Sequence, residues 1–239
     1  HPERDQPVDQ DGGDHGRLDR SDSILMTDQL SIYNGALRIC RERKLASLTE
    51  SRESRRHLDD EWGDGSTDGV VRACLEMAEW TFAKRTVQIT YSPSVSPLFG
   101  YSRAFEQPSD LVRVCGVFQD EFCQVPLTQY TDERRYWYAH LDTIYVSYVS
   151  NLPNYGGDMS LWSEAFVDLV QSELAAKIVW PLTQDKAARR EVLQLRELNR
   201  KFAKNLDTSN KPTAFAPPGS WSRARRGNAG SRDRTPTGD

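Results

Sequence analysis

Leu30, Tyr33, Leu37 and Cys40 recur at the three- and four-residue spacing of a helix with one apolar face. The pattern fades near Lys44, among basic residues that suit a helix C-terminus. A second helical pattern begins near Arg52, with Leu58 and Trp62 on one face, and breaks at Gly63-Asp64-Gly65-Ser66-Thr67-Asp68-Gly69. Glycines at 63, 65 and 69 make a poor helix interior, so the helix stops there and resumes with Val70, Val71, Cys74, Leu75, Ala78 and Phe82.

From Thr86 to Ser150 the period shortens to that of a strand. Val87 to Tyr91, Val112 to Val114, Phe122 to Leu127 and Tyr136 to Tyr138 alternate, and Ile144 to Val149 is rich in β-branched and aromatic residues. Pro93, Pro97, Gly100, Pro108 and Pro126 punctuate these runs. The stretch reads as an antiparallel region of roughly four to six strands.

Beyond it the helical period returns. Trp162, Ala165, Phe166, Leu169, Val170, Leu174 and Ile178 form one stripe, with Ser160 as the N-cap and Pro181 as the stop. A fourth helix starts at Thr183 and turns Ala188, Val192, Leu195, Phe202 and Leu206 inward. Helices on both sides of a β region bury their apolar faces by packing on each other. The expected fold class is therefore α+β: a four-helix bundle with an inserted antiparallel β region, flanked by irregular N- and C-terminal arms. The divisions are 1–25 (acidic extension), 26–85 (first half of the bundle), 86–152 (inserted β domain), 153–207 (second half of the bundle) and 208–239 (basic arm). Such packing leaves no long exposed apolar stripe, which predicts a monomer in isolation.

The two ends differ from the middle. Residues 1–25 hold seven acids against three arginines, about −4, with too little apolar content to order themselves. The first methionine, Met26, stands just before the first amphipathic run, so these residues are either an upstream reading of the frame or a flexible arm. From Lys211 onward six cations face two acids, about +4, in a proline-rich stretch that also carries two aromatics. Phe215 and Trp221 there are candidate anchors, and Arg223, Arg225 and Arg226 candidate carboxylate or phosphate contacts, of an arm that docks on a partner.

Overall composition narrows the classes. The 239 residues are 37% hydrophobic and 28% charged, with a net charge of −4, which fits a globular protein and disfavours a whole surface built to grip nucleic acid. Cys40, Cys74, Cys115 and Cys123 include no Cys-x-x-Cys pair; Cys115 and Cys123 are spaced to allow contact on adjacent strands, but reduced, buried thiols are expected. No run is long enough to span a membrane, and no apolar leader is visible. Synthesis in a reducing cytoplasm is the expectation.

Candidate chemistry is thin. Asp64 to Gly69 resembles the first half of a calcium loop, but the twelfth position, which should supply a carboxylate, is Leu75, with Glu76 one residue off. A polar turn is the better reading. His140 and Asp142, beside Asp132-Glu133-Arg134-Arg135, suggest an acid/base pair but fall in a hairpin-turn context. His57 lies on a charged helix face among Arg55, Arg56, Asp59 and Asp60. Tyr136-Trp137-Tyr138 with Arg134 and Arg135 suggests a base-stacking platform, yet alternation sends Trp137 to one face and both tyrosines to the other, so part of it serves the core. No catalytic residue, cofactor or metal is expected.

The order of several short motifs carries more. Asn34-Gly35-Ala36-Leu37 is followed by Ser47-Leu48-Thr49-Glu50, then Trp80, Phe82 and Ala83, then Pro108, Asp110, Arg113 and Val114. After the strands come Phe166, Leu174-Ala175-Ala176 and Pro181-Leu182-Thr183. Over residues 30–207 this succession resembles the tail tubular protein A family, the head-to-tail adaptors (connectors) of short-tailed bacteriophages. The Gly63 to Gly69 insert departs from the family, in which that helix is continuous.

The resemblance implies a non-enzymatic structural protein of the virion, at the head-tail junction, assembled in the host bacterial cytoplasm. Its partners would be the portal protein, the tail nozzle protein and copies of itself in a head-to-tail ring, dodecameric in relatives. Double-stranded DNA would pass through the lumen during ejection, and no membrane would be involved. The alternative is a DNA-binding module acting through the Arg-rich C-terminal tail.

Overall fold

The computed structural model describes residues 28–63, 68–97 and 100–210. Asp28 opens the first helix, α1 (Gln29–Ile39), through a reciprocal cap: its Oδ1 accepts from the Ser31 N–H at 2.7 Å while Ser31 Oγ accepts from the Asp28 N–H. α1 ends well before Lys44, because Arg41 takes a left-handed φ of 62°. Asn34 then pins the returning chain, accepting from the Leu45 N–H at 2.7 Å and donating to the Leu45 carbonyl at 3.2 Å.

The second helical pattern forms two helices, α2 (Glu53–Trp62) and α3 (Gly69–Glu76). Gly63 and Gly69 have φ of 71° and 92°, conformations that side chains resist. A 3₁₀ turn at Thr81–Ala83 leads into β1 (Lys84–Thr90). The remaining strands are β2 (Arg103–Glu106), β3 (Leu111–Phe118), β4 (Thr131–Glu133), β5 (Tyr136–Ala139) and β6 (Thr143–Ser150). They form two antiparallel sheets of three strands, in the orders β1-β6-β3 and β2-β5-β4. Two long helices follow, α4 (Glu164–Thr183) and α5 (Lys186–Asn210).

Among the described residues this is a mixed α+β fold of five helices and two three-stranded sheets. It is not a four-helix bundle with one inserted β region. The reason lies in β6, whose residues are buried on both faces from Val146 onward, so the strand needs cover on each side. Val149 joins the helical core with Leu37, Leu75, Trp80, Phe166 and Leu174. Ile144, Val146 and Tyr148 face a second core with Phe105 and Trp137, which the smaller sheet supplies.

Local departures from the sequence reading have equally concrete causes. Ser163, not Ser160, caps α4, its Oγ accepting from the Phe166 N–H, while Ser160 sits in a 3₁₀ turn capped by Asp158. Trp162 precedes the helix and donates its indole N–H to the Gly156 carbonyl at 3.0 Å. Pro181 lies inside the last turn of α4, and the stop comes at Gln184, with φ of 50°. Phe122 to Leu127 is no strand: Asp120 folds it into a tight return, leaving one bridge between Phe118 and Pro126.

Candidate interaction surface

Asp185 starts α5, accepting from the Ala187 N–H at 2.8 Å, so the helix begins at Lys186 rather than at Thr183. Its inner face is narrow. Val192 and Ala203 are buried, Asn199 donates to the Asp168 carbonyl, and Arg200 forks over the buried carboxylate of Glu173 on α4. Leu195, Phe202 and Leu206, expected inside, are exposed, as is Leu198; Phe202 is 60% and Leu198 64% accessible. Leu195, Leu198, Phe202 and Leu206 are spaced by three, four and four residues, which puts them on one stripe. This second apolar face has no charged member and overturns the expectation of a surface without a long exposed stripe. The wheel of α5 held the signal, since Leu198 lies off the face defined by Val192 and Ala203.

Beside the stripe, Trp180 of α4 and Leu193 and Leu198 of α5 floor an open groove of about 980 Å³. Lys186, Arg189 and Arg190 rim it, and the Arg189 guanidinium lies 5.6 Å from the centre of the Trp180 ring. Glu197 also lines the groove, but Arg196 and Arg200 pair with it at 3.2 and 3.0 Å, so the rim stays cationic.

A second apolar feature stands on the β3–β4 connection. Asp120 accepts from the Gln124 and Val125 N–H groups at 3.0 and 2.7 Å, and the Gln119 N–H donates to the Val125 carbonyl. The N–H bond from Val125 is the main reason the Asp120 carboxyl sits below its ordinary range. The resulting tip, with Cys123 at a φ of 54°, holds Phe122 73% exposed, with Val125 also outside.

The other candidates resolve into architecture. Asp110 accepts from Ser150 Oγ at 2.6 Å, Arg85 Nη1 at 2.9 Å and Tyr148 Oη at 3.0 Å. Burial alone would raise its carboxyl, but these bonds from Ser150, Arg85 and Tyr148 outweigh burial and hold it below the ordinary range. Burial, with Asp110 beside it, pushes the Tyr148 hydroxyl up to about 12. His140 lies against Tyr101 and Ser102, whereas Asp142 pairs with Arg103 at 2.8 Å, so the two do not form an acid/base pair. Trp137 is fully buried and donates to Asp132 Oδ2, while Tyr136 and Tyr138 lie half-buried on the opposite face. His57 faces Glu53 one turn away.

Cys40 and Cys74 are buried thiols, both pushed up by burial, Cys40 to about 12; Cys115 and Cys123 are half-buried, and none of the four is in a disulfide. Asp68 occupies the position before α3, while residues 64–67 of the calcium-like loop lie outside the described residues. So do Phe215, Trp221, Arg223, Arg225 and Arg226 of the proposed arm, and the acidic stretch 1–25.

Among the described residues no group of three or more His, Cys, Asp and Glu side chains is placed to hold a metal ion, and no helix is long and apolar enough to cross a membrane. A scan against models of known protein families found no match, and a search of curated proteins found none either.

Proposed function

We propose that this chain is a structural virion adaptor that forms a ring between the portal and the tail nozzle, extends the DNA channel and supports tail assembly and DNA ejection. The observation that carries the reading is the uncharged stripe Leu195-Leu198-Phe202-Leu206 beside a groove, a face that gains stability only when a partner covers it. The motifs behind the resemblance support it from the other side, because they hold the architecture. Gly35 lets α1 approach α4 so closely that an added Cβ would meet the Gln171 side chain at 2.1 Å. Trp80 and Phe82 each meet Phe166 edge-on, with ring centres 4.8 and 4.9 Å away.

A DNA-binding module is the second reading, favoured by the Arg-rich tail and the cationic rim formed by Lys186, Arg189 and Arg190. Binding of the purified chain to a portal ring and to duplex DNA, each across a salt series, separates the two. The adaptor binds the portal; the module binds DNA with an affinity that falls steeply with salt.

A further inference from the structure

The β3–β4 tip and the α4–α5 groove are different in shape and opposite in charge. The tip presents exposed Phe122 between the acids Asp120 and Glu121 on one side and Val125 on the other. The groove offers an aromatic and aliphatic floor, Trp180, Leu193 and Leu198, inside a rim of Lys186, Arg189 and Arg190. We infer that the groove receives the Phe122 tip of a second copy of this chain, with Glu121 set against the cationic rim. The inference rests on the ring reading and deepens it, since a head-to-tail contact needs two different complementary patches on each subunit.

The chain's own ends match the groove less well. Residues 211–239 carry about +4 and would meet a rim of the same sign. Residues 1–25 are acidic but contain no aromatic to fill the floor. The tip combines both requirements, and the Asp120 bonds to the Gln124 and Val125 N–H groups fix its shape in advance, so little ordering is lost on docking.

Sedimentation velocity of the full chain, from micromolar to about 1 mM at low salt, tests this. Wild type should self-associate, and Phe122→Ala and Leu198→Asp, both at exposed positions, should each weaken association about tenfold or more. Glu121→Arg and Arg190→Glu should each weaken it, and the double variant should recover it, which a general loss of folding would not produce. Circular dichroism of every variant checks that the fold is kept. A wild type that stays monomeric throughout overturns the inference. Association that survives Phe122→Ala, or that is lost in Leu198→Asp alone, also overturns it and assigns the groove to another occupant. Portal binding, measured separately, judges the ring reading, so the two can fail independently.

Discussion

Arg85 on β1 and Asp110 just before β3 meet at 2.9 Å across β6, the strand that lies between theirs. Tyr148 and Ser150 of β6 complete the contact from below, so one carboxylate ties together all three strands of the sheet. Asp110 is only 8% accessible. Asp110→Ala leaves Arg85 facing a cavity and two hydroxyls without their acceptor, and should cost about 3 kcal/mol in chemical unfolding.

The same carboxylate sets an acid limit. Its folded-state pKa lies below the ordinary 3.8, so its contribution is fully present above that value. It is lost as pH falls through the depressed folded value. Stability should therefore drop less steeply below pH ~4 in Asp110→Asn than in wild type, read by thermal melts across acid pH.

Arg200 holds α5 to α4 by forking over Glu173, which is 5% exposed. Arg200→Ala strands that carboxylate and should destabilise by about 3 kcal/mol, whereas Glu173→Gln, which keeps an acceptor, should cost less. Hydrogen exchange should locate the loss in α5 beyond Val192.

How much of this was legible in the sequence depends on what each residue competes with. The α4 helix was readable because Ala165, Phe166, Leu169, Val170, Leu174 and Ile178 recur at helical spacing and all enter the core, although α4 is central and is buried on further faces too, at Gln171, Ser172, Glu173 and Ala175. β2 was missed because Arg103 to Glu106 is too short to show a period, and only pairing with β5 makes it a strand. The alternation from Phe122 to Leu127 misled because a side-chain acceptor, Asp120, captured the N–H groups that a ladder would have used. In α5 the pattern correctly marked an apolar helix but could not say which apolar face the rest of the chain would cover. The interaction surface was thus visible only in part: Leu195, Phe202 and Leu206 were named but placed inside, while Leu198 and the groove residues Trp180, Arg189 and Leu193 were not named.

Exposed apolar residues on α5 should tolerate charge. Phe202→Lys should change unfolding stability by about 0.5 kcal/mol or less, because the ring is 60% accessible. It should nonetheless lower binding of an apolar dye and improve solubility, since it interrupts the uncharged stripe. A loss of several kcal/mol would mean that the stripe is internal packing.

Removing residues 211–239 should leave the core folded, because the last fully buried side chain described on α5 is Ala203. Portal docking should weaken all the same, with Trp221→Ala costing about 2 kcal/mol and more than any single Arg change. Full-strength docking by the truncated chain would remove the arm from the account. A larger effect of replacing Arg223, Arg225 and Arg226 together, with steep salt dependence, would point to DNA instead.

The most direct measurement is native mass spectrometry of the purified chain mixed with a short-tailed phage portal ring, with electron microscopy of the product. The proposed adaptor role predicts copies of this chain closed into a ring on one face of the portal. A chain that leaves the portal bare, or that binds only duplex DNA, would contradict it.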